Sequence, residues 1–102
     1  MGKDAQATIV MSEYIEITHE PTSDADVMCF RTNLRLAENE VEVYESGAAL
    51  EEGSPLAQAL AMIDGIAALR IEGQELLVTR EPFVEWYYIA ADISAALKEF
   101  FL

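Results

Sequence analysis

One cysteine, one histidine, six basic residues and three prolines are all this sequence of 102 residues contains of those types. Each scarcity removes a class of explanation. A single thiol, Cys29, cannot close an internal disulfide, which fits a reducing compartment. Six lysines and arginines against nineteen carboxylates give a formal charge of −13. A nucleic acid or an anionic membrane would be repelled, with few counterions to release on contact. No apolar run approaches the roughly 20 residues that span a bilayer. Met1 to Met11 lacks the continuous apolar core of a signal peptide, so a soluble cytoplasmic protein is expected. Walker loops, Gly-x-Gly-x-x-Gly, Gly-x-Ser-x-Gly, Asp-x-Asp-x-Asp-Gly and His-Glu-x-x-His are all missing. An enzyme, or a protein that takes a small-molecule substrate, is therefore not expected.

What is present is a core-forming composition. Hydrophobic residues make up 52% of the chain, enough for one domain. The acidic surplus is explained by solubility alone, and it also leaves room for a basic protein partner or a cation.

The clearest stretch runs from Ser54 to Gly65. Ser54 offers a hydroxyl to a first helical turn, and Pro55 sits where a missing N–H costs nothing. Leu56, Leu60 and Ile63 recur at helical spacing with Ala59 beside them, and Gly65 stands where a left-handed cap needs no Cβ. Ile66 to Ile71 and Glu75 to Arg80 then read as a hairpin, with Gly73 supplying the positive φ of its turn.

Upstream, residues 1–12 read as an extension or tag and 13–102 as the domain. Tyr14 to Glu20 alternates as a strand, with Ile15, Ile17 and His19 on one face and Glu16 and Thr18 on the other. Glu20-Pro21-Thr22-Ser23-Asp24 breaks it. Met28, Phe30, Thr32 and Leu34 share a face of the next strand, opposite Val27, Cys29 and Arg31. Glu40 to Val43 suggests a short exposed strand, with Glu40 and Glu42 on one face. An acidic loop from Glu45 to Gly53 follows. At the other end, Trp86, Ile89 or Ala90, Ile93, Leu97 and Phe100 or Phe101 mark an amphipathic helix. The expected fold is α+β: a two-layer sandwich of a mostly antiparallel sheet with two helices on one face.

These pieces resemble the N-terminal domain of Nfu/NifU-type iron–sulfur cluster scaffold proteins. That family's signature reads Ser-Pro-Leu-Ala, a Leu, Ile-x-Gly-Val, and a hairpin ending Val-Thr-Lys. Here it stands as Ser54-Pro55-Leu56-Ala57, Leu60, Ile63-Asp64-Gly65-Ile66 and Val78-Thr79-Arg80. The family's opening, Thr-Glu-Pro-Thr-Pro-Asn-Pro leading into Leu-Lys-Phe, is matched by His19-Glu20-Pro21-Thr22-Ser23-Asp24-Ala25 leading into Met28-Cys29-Phe30. The likeness runs from about Tyr14 to Leu102. Arg70-Ile71-Glu72 departs from the family's Phe-Phe-Gly, and Cys29 stands where Lys is usual.

The resemblance implies the same fold and a role in iron–sulfur cluster biogenesis. In full-length relatives the cluster is held by a separate domain bearing Cys-x-x-Cys. No such pair occurs here, and about four thiolate ligands are the usual need. The expected function is a stand-alone interaction domain without a cluster of its own, meeting iron–sulfur scaffold or recipient proteins and at most sharing iron or a cluster transiently. The expected contact surface is Glu16, Thr18, Cys29 and Arg31 on the open sheet face, with the loop of Glu20, Pro21, Thr22 and Asp24. Its Ser23-Asp24-Ala25 continuation should be less rigid than Pro-Asn-Pro. Two other readings stand beside this one. The domain is an acidic adaptor unrelated to iron–sulfur clusters, or it binds iron or another divalent cation transiently through Cys29, His19 and carboxylates. Cys29 is otherwise a small residue tolerated on a strand. His19 is otherwise a half-buried structural histidine, pointing away from Cys29.

Overall fold

The computed structural model describes residues 15–37 and 40–102. The expected extension over residues 1–12 and the Tyr14 end of the first strand lie outside the described residues. The chain forms β1 (Ile17–Pro21), β2 (Val27–Thr32), β3 (Val41–Tyr44), α1 (Gly47–Glu51), α2 (Pro55–Leu60), β4 (Ile66–Glu72), β5 (Glu75–Arg80) and α3 (Trp86–Phe101). One sheet holds all five strands in the order β1-β2-β5-β4-β3, each neighbour antiparallel. The α+β expectation is borne out.

Alternation decides the inside of the sheet. Met28 and Phe30 of β2, Leu76 and Val78 of β5, and Leu69 and Ile71 of β4 are all buried on one face. From the other side come Leu50 of α1, Leu56, Ala57 and Leu60 of α2, and Ile89, Ile93 and Leu97 of α3. The β4–β5 hairpin turns on Gly73 at φ +59.

Several local expectations need correction. The loop from Glu45 to Gly53 contains α1, which Ser46 caps by accepting from the Ala49 N–H at 3.1 Å. Its Ala-Ala-Leu run is helix-forming, and Leu50 gains burial from it. β1 continues through Pro21 because an edge strand tolerates the missing N–H. Helix α2 is capped by Ser54 as expected, but it ends at Leu60 and tightens through Met62 and Ile63 into i−3 hydrogen bonds. Gly65, at φ +100, turns the chain into β4 rather than capping the helix. Ala57, not Ala59, is the buried alanine of α2. The buried stripe of α3 stops at Leu97, leaving Phe100 and Phe101 exposed.

The largest reversal is in β3. Glu42 is buried, whereas Val43 is 55% exposed. Register explains it: Glu42 lies opposite Ile71 and Tyr44 opposite Leu69, both core positions of β4. Glu40, in front of the strand, is exposed, so the two carboxylates are in different environments.

Candidate functional site

Among the described residues, the three helices pack on one side of the sheet and none of them covers its other face. Register arranges that face in rows. Thr18 lies opposite Arg31, which lies opposite Glu75; Glu20 lies opposite Cys29, which lies opposite Leu77. Leu77 in turn faces Arg70, and Arg70 faces Val43.

The predicted residues of β1 and β2 therefore meet. Arg31 Nε is 3.1 Å from Glu75 Oε2, and its Nη1 is 4.0 Å from Glu20 Oε2. Both carboxylates hold the Arg31 guanidinium above its usual pKa, Glu20 more than Glu75. Cys29 is half-buried, and its thiol lies 3.9 Å from Glu75 Oε1. Burial pushes the thiol's pKa up, Glu75 adds to the shift, and Arg31 opposes it. Glu16 precedes β1, and its N–H donates to Asn33 Oδ1 at 3.1 Å.

His19 does not belong to this face. It sits opposite Phe30 with ring centres 5.6 Å apart, on the helix side of the sheet. It is exposed at the edge strand rather than half-buried. Pro21, opposite Met28, is in phase with it.

The loop after β1 is held by hydrogen bonds of its own. Thr22 Oγ1 lies 2.9 Å from the Val27 carbonyl and 3.0 Å from that of Asp24, and it accepts from the Asp24 N–H. Asp24 Oδ1 accepts from the Asp26 N–H at 2.9 Å. Thr22 and Asp24 thus spend their polar atoms on the turn itself. The loop is fastened from outside as well, because the Trp86 indole donates to the Ala25 carbonyl at 2.9 Å and Arg80 pairs with Asp26 at 3.1 Å.

Residues from the later strands complete the surface. Arg70 pairs with Glu72 at 3.2 Å, and a recess of about 90 Å³ is lined by Cys29, Arg70, Glu72, Glu75 and Leu77. Val41, Val43 and Leu77 supply exposed apolar surface beside the ion pairs. Hairpin alternation alone would have placed Arg70 and Leu77 here, since Leu69, Ile71, Leu76 and Val78 face inward.

The sequence matches the family described as scaffold protein Nfu/NifU, N terminal, over residues 17–102. The chain belongs to the Nfu/NifU N-terminal family. Membership links it to iron–sulfur cluster assembly and to the protein partners of that process. Two solved structures share the fold. The solution NMR structure of a NifU-like protein from Saccharomyces cerevisiae is 22% identical, with a TM-score of 0.70 over 85% of this chain and 78% of that one. The X-ray structure of a Staphylococcus aureus protein is 12% identical, with a TM-score of 0.66 over 80% of this chain and 98% of that one. No curated protein matches the sequence.

The donor set does not fit a resident cluster. The chain has one thiol, and no group of three or more His, Cys, Asp or Glu side chains is arranged to hold a metal among the described residues. Nor is any helix among them long and apolar enough to cross a membrane.

Proposed function

We propose that this domain is a non-enzymatic interaction domain of iron–sulfur cluster assembly or delivery. It works without a cluster site of its own and meets a scaffold or recipient protein through the open face of its sheet. The observation that carries the reading is the sheet face that no described element covers. Exposed Val43 and Leu77 stand among the paired charges Arg31–Glu75 and Arg70–Glu72. Apolar area beside paired charges is suited to protein docking. Here the cluster is cargo held by thiolates of the partner, and Cys29 is the one thiol this domain can bring to it. Pairing Cys29 with His19 for a metal is disfavoured, because the register directs them to opposite faces.

The test is affinity capture from an anaerobic lysate at low salt, where contacts to an acidic surface are least screened. The wild-type chain should enrich cluster scaffolds or iron–sulfur apoproteins. The double variant Val43→Asp, Leu77→Asp should lose them while keeping its melting temperature, since both residues are exposed. Equal recovery by the variant removes the surface assignment. Enrichment of unrelated proteins leaves the fold standing and removes the function.

A further inference from the structure

The opposite side of the molecule carries a second surface, separate from the sheet face. Between the end of α2 and the second half of α3 runs an open groove of about 700 Å³. Met62 and Ile63 form one wall, and Ala95, Ala96 and Phe100 the other. Met62 is 83% exposed and Phe100 is 42% exposed. A flexible thioether and small alanines suit the close approach of another helix. The groove is also acidic. Asp92 and Glu99 border it, and neither is paired with a base among the described residues. They stand seven residues apart on α3, two turns or about 10 Å along its axis.

We infer that this groove receives a basic amphipathic helix from a partner protein. Its apolar face would lie on Met62, Ile63 and the alanines, and cations seven residues apart would meet Asp92 and Glu99. Charge complementarity selects this occupant. A second copy of the chain would bring another −13, and an anionic lipid surface would be repelled for the same reason. A basic helix is attracted at long range and finds unpaired carboxylates at the period of its own turns. The domain would then bind on two sides, through the sheet and through the helices.

The probe is a fluorescein-labelled synthetic helix of about 15 residues, with leucines along one face and lysines seven residues apart on its flanks. It is titrated into the full chain and followed by fluorescence anisotropy. Two comparison peptides have the same composition scrambled, or glutamates in place of the lysines. The double variant Asp92→Lys, Glu99→Lys and the single variant Met62→Glu should each weaken binding at least roughly tenfold. Glu72→Lys with Glu75→Lys, on the sheet side, changes net charge as much as the Asp92/Glu99 double variant and should weaken it less than about threefold. All the substituted residues are exposed, and only variants that keep the wild-type melting temperature are compared. The proposal is overturned if the helix does not bind, if the scrambled peptide binds equally, or if both double variants weaken it alike. Sedimentation that shows a dimer abolished by Met62→Glu also overturns it, because a second copy would then be the occupant.

Discussion

The guanidinium of Arg80 lies over the indole of Trp86, 5.4 Å from the ring centre, and joins the end of the sheet to the start of α3. The same side chain pairs with Asp26 at 3.1 Å and donates to the Val84 carbonyl at 2.9 Å. One residue therefore ties the loop after β1, the end of β5 and the N-terminal turn of the last helix. Arg80→Ala should destabilise the chain by about 2 kcal/mol, through a part-buried ion pair, a carbonyl left without its donor and a lost cation–π contact. Arg80→Lys keeps the charge but lacks the planar fork that reaches two acceptors, so roughly half of that loss is expected. Urea unfolding at unchanged m-value reads both. A change below about 0.5 kcal/mol for Arg80→Ala would show the bridge to be idle.

Buried Glu42 is the hub of a second junction. Its Oε1 accepts from the Tyr44 hydroxyl and from the Ser54 hydroxyl, each at 2.7 Å. The Tyr44 oxygen accepts from the Ser54 N–H at 3.2 Å, and Ser54 Oγ accepts from the Ala57 N–H at 3.3 Å. Ser54 is therefore both a helix cap and a donor to a buried carboxylate. Ser54→Ala and Tyr44→Phe should each cost about 1–2 kcal/mol. Because they share Glu42, the double variant should cost less than the sum by at least about 0.5 kcal/mol. Strict additivity in a double-mutant cycle would mean that the three groups do not act as one network.

These two junctions mark the boundary of what the sequence made legible. The Gly73 hairpin, the Ser54 cap and the Trp86 to Leu97 stripe were legible because period and turn chemistry act within a few residues. Glu42 was not. Alternation tells which residues of β3 share a face but not which face is inside, and here register against β4 overrides the hydrophobicity of Val41 and Val43. Helix α1 is a short element between two glycines, with little periodicity to detect. On the open face, Thr18, Cys29 and Arg31 were found from strand phase, whereas Arg70 and Leu77 were overlooked beside the louder signal of their inward neighbours. The Arg80–Asp26 contact spans 54 positions, and no local pattern announces it.

The two glycines with positive φ among the described residues should respond differently to alanine. Gly65 has φ +100, and an added Cβ would come within 2.8 Å of Val84 Cγ1. Strain and a clash together should cost about 2–3 kcal/mol. Gly73, at φ +59, has nothing within 4 Å of that position. Gly73→Ala should cost about 1 kcal/mol and Gly73→Asn less, because asparagine tolerates left-handed backbone. Melting temperatures should therefore fall in the order wild type, Gly73→Asn, Gly73→Ala, Gly65→Ala. A Gly65→Ala protein as stable as Gly73→Ala would mean that Val84 moves aside freely.

Cys29 should be a slow thiol whose reactivity is set by its neighbours. Half-burial favours the neutral form first and the Glu75 carboxylate second, while Arg31 pulls the other way, so the folded pKa lies above the ordinary 9.0. The sign for stability follows from this direction. The neutral thiol is preferred in the folded chain, so its contribution is complete below the ordinary thiol pKa and is lost as pH rises through the folded value. Alkylation by iodoacetamide should have its pH midpoint above 9.0 in the folded chain and near it in denaturant. The single cysteine of the chain makes the assignment unambiguous. Glu75→Gln should lower the folded midpoint, and Arg31→Gln should raise it. A surface on which both substitutions moved the midpoint in the same direction would not be governed by the Arg31–Glu75 pair, and an unshifted midpoint would mean that water reaches the thiol freely.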